Sequence, residues 1–308
     1  MTCLLKSLIC LGTLILATVT GCREAPPERQ NPLIVTSFFP LYDLVRQIVP
    51  EDCDVECLVY PGGDPHGLEP TPEMARLAER ADVVVMLGLG MDAWVGNLMQ
   101  GNASTRVLMA NFGLADRRVG TAALSEFSDH LPNPDEIDPH LWLDPVLAGR
   151  LVENLALTLA ERLPAHRAAI QVRSGKLLAD LSALDAEFRS GLGDLSRRKV
   201  VTFHGAYGYL FARYHLETAG VVEPFPGDEP SAAYLRMLVD LMRRLGLRVI
   251  FAEPQLPDRA AQLIASEIGG RVERLDPCET ILPEEPTATY QQRQRRNLET
   301  LVRVLRTP

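Results

Sequence analysis

The chain has 308 residues, with 31 Lys and Arg against 40 Asp and Glu, and a formal net charge of -9. At roughly 150 residues per domain, this length predicts two domains. Hydrophobic residues make up 46% and charged residues 23% of the sequence, a balance that excludes a mostly disordered chain. The acidic excess argues against nucleic acid as a partner, because duplex binding depends on Lys and Arg that neutralise phosphates.

The N-terminal segment has the features of a secretory signal. Lys6 is followed by a mostly apolar run from Leu8 to Val19, which is shorter than the roughly 20 residues that span a bilayer. The end of the run, Val19 to Cys22, resembles a bacterial lipobox, in which the cysteine is lipidated. We therefore expect 1–21 to be a lipoprotein signal peptide and Cys22 to carry the lipid. The Pro-rich stretch 22–32 would then be a tether on the extracytoplasmic side, in the periplasm or at the outer face of the cytoplasmic membrane.

Short β-branched runs alternate with helical patterns through the first half of the remaining chain. The predicted strands cover 33–37, 53–60, 83–87 and, more weakly, 105–109, and the predicted helices cover 41–48 and 72–80. The run 83–87 is apolar throughout, which is typical of a strand buried on both faces. Alternation of this kind predicts βαβ units and a parallel sheet.

The middle of the chain is helical, and the alternation then resumes. Helices are predicted at 145–163 and 165–192, and in the second of these Leu177, Leu181, Leu184 and Phe188 recur on one face. Strands follow at 199–203, 218–222, 248–252 and 271–275, with helices at 206–214, 231–245, 257–268 and 289–305. The pattern predicts an α/β protein of two lobes, each with a mainly parallel sheet flanked by helices, joined by one long rigid helix. The expected domains are an N-terminal lobe at 33–164, an inter-lobe helix at 165–195 and a C-terminal lobe at 196–308.

Four side chains stand out as candidate metal ligands. The tripeptide Asp-Pro-His occurs twice and supplies His66 and His140, each just before a proline that begins a predicted helix. His204 and Asp276 directly follow predicted strands, at the sheet edge where open α/β folds bind ligands. Three imidazoles and one carboxylate suit Zn²⁺ well and Mn²⁺ less distinctively. By pattern alone, ordinary hydrogen-bonded loop histidines remain an equal alternative.

Five segments resemble one known family. They are FFPLYDLVRQI (38–48), GGDPHGLEPTPEMARLAERADVVVMLGLGMDAWV (62–95), DPHLWLDPVLAGRLVENLA (138–156), VVTFHGAYGYLFARYHLE (200–217) and VIFAEPQLP (249–257). In these segments the chain is similar to the zinc/manganese solute-binding lipoproteins of bacterial ABC importers, periplasmic solute-binding protein family 9. The resemblance implies two lobes joined by a rigid helix, with a metal buried between them. It also implies that His66, His140, His204 and Asp276 are the ligands.

Some residues depart from the family pattern. The stretch 115–137 carries one histidine, His130, among acidic residues, and a solvated loop is favoured over a metal-gathering role. Manganese-preferring members often have Glu where this chain has His204, which favours zinc. Cys278, two residues from Asp276, could join or replace it as a ligand, although a buried inert thiol is the favoured interpretation. Glu253 could orient a ligand histidine from outside the metal's own ligand set, or it could equally be a carboxylate at the start of a helix.

The sequence does not assign a disulfide among the remaining cysteines, although an oxidising compartment permits one. In one strand the Cα atoms of Cys53 and Cys57 would lie about 13 Å apart, too far to bridge unless the chain bends. The pairing of Cys53, Cys57 and Cys278 therefore stays open.

These observations predict a binding protein and not an enzyme. We expect a monomer that captures one divalent transition metal per chain, Zn²⁺ with Mn²⁺ as the alternative, and delivers it to an ABC permease. The membrane would be contacted through the lipid anchor, and nucleic acid would not be a partner. The alternative is a zinc-dependent hydrolase that uses the same histidines, although the sequence contains no HExxH-type motif.

Overall fold

The structure is a computed structural model that describes residues 31–99, 107–111, 113–114, 137–224 and 229–306. Several expectations concern residues outside these ranges: the signal peptide at 1–21, lipidation of Cys22, nearly all of the tether and the loop with His130. Among the described residues, no helix is both long and apolar enough to cross a membrane.

The first sheet has four strands in the order β2-β1-β3-β4, and every neighbouring pair is parallel. Its strands are β1 (Leu33–Thr36), β2 (Asp54–Cys57), β3 (Val83–Met86) and β4 (Val107–Met109). Strand β1 is fully buried, and β3 is nearly so, as the continuous apolar runs predict for central strands covered on both faces.

The second sheet repeats this arrangement in the order β6-β5-β7-β8, again entirely parallel. Its strands are β5 (Lys199–Thr202), β6 (Glu217–Val221), β7 (Val249–Ala252) and β8 (Arg271–Arg274). Two parallel sheets flanked by helices confirm the predicted fold class. In both sheets the carboxyl ends of the strands open onto loops, which is where ligand-binding residues collect in such folds.

Nine helices flank the sheets among the described residues. They are α1 (Phe39–Ile48), α2 (Pro72–Arg80), α3 (Trp94–Leu98), α4 (Pro145–Arg162), α5 (Arg167–Leu192), α6 (Gly208–Arg213), α7 (Ala232–Leu245), α8 (Arg259–Glu267) and α9 (Tyr290–Arg306). The short helix α3 has no counterpart in the sequence prediction. The N-terminal ends of α2 and α4 are capped as their sequences predict: Thr71 accepts from the backbone of Met74, and Asp144 accepts from that of Val146.

Helix α5 is the long central helix, with 26 residues and therefore a length of about 39 Å. It begins at Arg167, after a short 3-10 turn at Pro164–His166, slightly later than predicted. Its predicted apolar face is buried and packs against α1, α4 and α9.

The C-terminal segment returns to the first half of the chain. The backbone amide of Gly62 donates to the carbonyl of Ile281 at 2.9 Å. At the start of α9 the amide of Tyr290 donates to the buried carboxylate of Asp43 in α1 at 2.7 Å. One apolar core accordingly includes residues from β1, α5, α6 and α9, while a smaller core lies around α7 and α8. The lobe boundaries drawn from the sequence stay predictions. Side chains from both predicted lobes nevertheless share this larger core.

The buried face of α5 generates a stability prediction. Leu184 is 0% exposed, so Leu184→Ala removes buried methyl groups and leaves a cavity. We expect a loss of about 2–5 kcal/mol in the free energy of unfolding, measured by denaturant titration. The matched control is Leu157→Ala in α4, where the side chain is 66% exposed and a change within about 0.5 kcal/mol is expected. Equal effects of the two substitutions would contradict the assigned packing.

Candidate metal centre

Three histidines meet at the carboxyl ends of the two sheets. His66 lies in the loop between β2 and α2, His140 precedes the short 3-10 helix Leu141–Leu143, and His204 is the second residue after β5. The Nε2 atom of His140 lies 3.3 Å from Nε2 of His66 and 3.3 Å from Nε2 of His204. Each imidazole therefore presents the same ring nitrogen to a common point.

The fourth group at this point is Glu279, which is 2% exposed. Its Oε1 atom lies 3.5 Å from Nε2 of His66, 3.4 Å from that of His140 and 3.6 Å from that of His204. This oxygen is buried and has no hydrogen-bond partner among the described residues. A buried carboxylate oxygen without a partner is costly, so its position facing three ring nitrogens indicates that the four atoms share a cation.

The spacing of the four atoms fits a metal ion of one particular size. The five distances given above lie between 3.3 and 3.6 Å. A regular tetrahedron with such edges has its centre about 2.0–2.2 Å from each corner, which is the bond length of Zn²⁺ to imidazole nitrogen and carboxylate oxygen. Five of the six separations within the cluster therefore match those around a tetrahedral Zn²⁺ ion.

Asp276, the predicted fourth ligand, is not among these atoms, and the structure corrects the expectation. Both of its carboxylate oxygens accept from Arg293 in α9, at 2.5 and 2.6 Å. The Arg293 side chain is 1% exposed, so it requires a carboxylate beside it. The physical reason for the error is the path of the chain after β8. Cys278 has a positive φ of 56°, and the Glu279 carboxylate, not that of Asp276, reaches the histidines.

Cys278 also lies outside the group of four atoms. Its thiol is fully buried and contacts the carbonyl of Asp276 at 3.6 Å. Burial, with the charge of Asp276 adding to it, raises the pKa of Cys278 well above its ordinary value. The thiol is therefore protonated at neutral pH, as expected for a structural cysteine.

Asp138 holds His140 in place. One of its carboxylate oxygens accepts from the backbone amide of His140 at 3.0 Å and lies 2.8 Å from Nδ1 of the same residue. Because Nδ1 is engaged in this way, Nε2 is left to face the other histidines. Asp64 makes the same backbone contact with His66, at 2.9 Å. The repeated Asp-Pro-His motif is thus a tight turn that aims each imidazole.

Glu253 holds His204 in the same manner, which is one of the two roles that its position in the sequence allows. Its Oε1 atom is hydrogen-bonded to Nδ1 of His204, and both side chains are buried. Gln255 donates to the other Glu253 oxygen at 2.9 Å and lies 3.4 Å from Oε2 of Glu279. This chain of contacts joins two of the four metal-facing groups, so neither can turn independently.

Aromatic side chains anchor the loops that carry these groups. The indole of Trp94 donates to the carbonyl of Pro65 at 3.2 Å, beside His66. The indole of Trp142 donates to the carbonyl of Pro277 at 2.8 Å, beside Glu279. Tyr209 donates to the carbonyl of Asp138 at 3.1 Å. These bonds tie each loop to a rigid helix or to the opposite half of the chain.

The charges at the site suit a cation. Burial alone would raise the pKa of Glu279, but the charge of His204 and the nearness of the other site histidines hold it well below its usual value. Burial alone would lower the pKa of His140, yet its hydrogen bond to Asp138 and the nearby charge of Glu279 raise it. His204 behaves likewise, with the charges of Glu253 and Glu279 raising its pKa well above the usual value. The buried carboxylate charge therefore favours positive charge at the point that the imidazoles face, and a metal ion would supply it.

Glu279 is the residue that sequence reasoning missed. It lies in the segment 275–279 (LDPCE), which has two acidic residues within four positions after a strand. The acid nearer the strand fits the rule for strand-end ligands, and the turn at Cys278 leaves no signal of its own in the sequence. Arg293 in α9 pairs with Asp276 and so keeps its carboxylate away from the histidines. The sequence does not show which acid this arginine pairs with, because the contact is formed only by the tertiary structure.

Two parallel sheets with a closed four-donor site at their carboxyl ends define the class of metal-binding solute-binding proteins. A family model described as "Zinc-uptake complex component A periplasmic", ZnuA, matches residues 34–304. The chain belongs to this family, which serves transporters as substrate-binding proteins.

Individual relatives agree with this assignment. The high-affinity zinc uptake system protein ZnuA of Bacillus subtilis is 30% identical over 82% of this chain and 80% of its own length. The zinc-binding lipoprotein AdcA of Streptococcus pneumoniae is 27% identical over 92% of this chain. Its Zn(II)-bound crystal structure has a TM-score of 0.76 and 26% identity, covering 90% of this chain and 58% of that chain. The present chain therefore spans little more than half the length of AdcA.

A third neighbour carries a different metal. The solute-binding protein FpvC of Pseudomonas aeruginosa, in complex with Mn²⁺, has a TM-score of 0.75 and 27% identity to this chain. The match covers 89% of this chain and 98% of that one. The fold by itself is therefore shared by proteins with different bound metals.

The different positions of Glu279 and Asp276 generate a paired prediction. Glu279→Gln removes a charged donor from the cluster, and we expect at least tenfold weaker Zn²⁺ binding with little loss of stability in the metal-free protein. Asp276→Asn leaves Arg293 buried without its charge partner, and we expect a loss of about 3 kcal/mol in the free energy of unfolding. Competition with a chromophoric chelator measures the first effect and thermal unfolding of the metal-free protein measures the second.

The two substitutions control for each other, because both convert an acid to its amide within one loop. If Asp276→Asn weakened Zn²⁺ binding as much as Glu279→Gln while leaving stability unchanged, the assignment of Glu279 as the fourth donor would be wrong.

Proposed function

We propose that this protein is an extracytoplasmic solute-binding protein that captures one Zn²⁺ ion and delivers it to an ABC permease. The ligands would be His66, His140, His204 and Glu279. The observation that carries the proposal is the near-tetrahedral set of donor atoms, with edges of 3.3–3.6 Å around an otherwise unpartnered carboxylate oxygen. Membership of the ZnuA family supports it.

Zinc is preferred over manganese on the chemistry of the donors. Three imidazoles and one carboxylate at tetrahedral spacing suit Zn²⁺, whereas Mn²⁺ favours octahedral sites rich in oxygen. The similarity to a protein in complex with Mn²⁺ makes manganese the alternative cargo, to be compared directly with zinc in the same assay.

The protein is proposed to bind and not to catalyse. A catalytic zinc site keeps one coordination position for water, whereas here four protein donor atoms face one common point. The zinc-dependent hydrolase considered from the sequence is therefore unsupported.

The four ligands divide evenly between the two halves of the chain. His66 and His140 come from loops associated with the first sheet, and His204 and Glu279 follow strands of the second. A movement that separated the halves would split the site into two pairs of donors and weaken the hold on the ion. The His66 side chain is 19% exposed, the most of the four, so it marks the side from which the ion reaches the site.

Anchoring, localisation and partners belong to the same proposal. Lipidation of Cys22 would hold the protein at the extracytoplasmic face of the membrane, and the similarity to a protein named as a zinc-binding lipoprotein supports this. The permease as partner follows from the family's role in zinc uptake. A monomer is proposed, since the four donors come from a single chain.

Calorimetric titration of the metal-free protein tests the proposal. We expect one tight Zn²⁺ site whose occupancy raises the unfolding temperature, because the ion binds only the folded arrangement. Weaker retention of Mn²⁺ in the same assay is expected from the donor set. In His204→Ala, one corner of the tetrahedron is removed and the tight event should be lost. A wild-type protein without a stoichiometric tight site after chelation and reloading would overturn the proposal.

Zinc affinity should depend on pH because the ion must displace protons from imidazoles. The pKa values of His140 and His204 are raised, so protons compete at a higher pH than they would for free histidine. As the pH is lowered, we expect zinc affinity to fall by about tenfold per pH unit for each proton displaced. This fall should begin while the pH is still above 6.5, the ordinary pKa of histidine.

Glu253→Gln provides the control for this pH dependence. It removes a charge that raises the pKa of His204, so the fall in affinity should move to lower pH. A zinc affinity that is constant between pH 8 and pH 6 in the wild-type protein would contradict the assignment of neutral histidines as ligands.

A further inference from the structure

A second cluster of donor groups lies at the opposite edge of the first sheet. Asp52 and Cys53 directly precede β2, at the amino ends of the parallel strands, whereas the site described above lies at the carboxyl ends. His166 ends the 3-10 turn before α5, and its Nε2 atom lies 3.3 Å from Oδ2 of Asp52. One donor atom from each of the three residues lies within 4.8 Å of the others.

We propose that Asp52, Cys53 and His166 form a second, exchangeable site for a divalent cation of the Zn²⁺ class. Oxygen, sulfur and nitrogen donors in one group suit borderline-soft cations and are poorly suited to Mg²⁺ or Ca²⁺. The site is independent of the tetrahedral cluster in position and in chemistry, because it alone contains a cysteine among its donors.

The separation of the donors is close to what a cation requires. Around a tetrahedral Zn²⁺, with bonds of about 2.0 Å to nitrogen and about 2.3 Å to sulfur, neighbouring donors are about 3.5 Å apart. The three donor atoms lie within 4.8 Å of one another, so a contraction of at most about 1.3 Å would close the site. The Asp52 side chain is 67% exposed and is free to turn by that amount. Three protein donors leave a coordination position for water, so binding should be weaker than at the tetrahedral site.

The imidazole of His166 has no contact that competes with a cation. Its Nδ1 atom is buried and has no hydrogen-bond partner among the described residues, and its Nε2 faces only Asp52, a member of the same cluster. By contrast, both ring nitrogens of His140 and His204 have assigned partners. The His166 ring is therefore positioned within the cluster and available to a ligand.

Cys53 is a reduced and protonated thiol in this setting. It is free of any disulfide, and burial together with the charges of Asp52 and Asp54 raises its pKa to about 11. The acidic side chains beside this thiol would attract a cation to the cluster.

Cobalt(II) distinguishes the two sites by absorption, with the full chain kept reduced. The tetrahedral cluster has no sulfur donor, so a thiolate-to-cobalt charge-transfer band in the near ultraviolet can come only from a cysteine elsewhere. We expect this band to grow with the second equivalent of Co²⁺. It should be lost in Cys53→Ser and retained in Cys57→Ser, the matched control, whose thiol contacts the carbonyl of Ser37 instead.

Two further variants separate the second site from the proposed function and from folding. His166→Gln changes a side chain that is 17% exposed, and it should weaken or abolish the band even if Cys53→Ser does not fold. His204→Ala should eliminate the tight event and leave the band intact, so that failure of one site does not imply failure of the other. Absence of the band in wild-type protein at two equivalents of Co²⁺, or its persistence in both Cys53→Ser and His166→Gln, would overturn the proposal.

Discussion

The buried ion pair between Arg293 and Asp276 is the interaction on which the site most depends. Arg293 also donates to the carbonyl of Thr280 at 2.6 Å, and its guanidinium lies 4.3 Å from the ring centroid of Phe39. It therefore fixes the loop that carries Glu279 on one side and contacts the start of α1 on the other. Because an unpaired buried arginine is so unfavourable, this loop has few alternative paths, and Glu279 is held where the three histidines need it.

A site prepared in this way explains how the protein could bind a metal tightly without large rearrangement. Asp138 and Glu253 each hold one imidazole by Nδ1, and Glu279 is the acceptor left without a hydrogen-bond partner at the centre. Hydrogen bonds outside the ligand set therefore arrange the donors already during folding. Little further ordering of side chains would be needed when a metal binds. The same arrangement leaves negative charge buried at the centre, which favours a cation there.

Most of the fold could be predicted because its patterns are local. Apolar β-branched runs such as 83–87 predict central strands, the repeat of Leu177, Leu181, Leu184 and Phe188 predicts the buried face of α5, and Thr71 and Asp144 predict the helix starts that they cap. The short helix α3 escaped prediction because five residues carry too little periodicity. The return of α9 to the first half also escaped, because its contacts are made by polar residues such as Tyr290 and Gln294, which have no distinctive spacing.

In the candidate site, too, some residues could be predicted from local patterns and others only from tertiary contacts. Sequence alone identified three histidines, since each sits at a motif or strand end whose backbone conformation is set by nearby residues. The choice between Asp276 and Glu279 was decided only by tertiary structure, because it depends on Arg293, seventeen residues further along the chain, and on the turn at Cys278. The cluster of Asp52, Cys53 and His166 is likewise invisible in the sequence, since more than a hundred positions separate Asp52 from His166 and only the packing of two turns brings them together. Local conformation follows from neighbouring residues, whereas a shared ligand set depends on which distant groups compete for each charge.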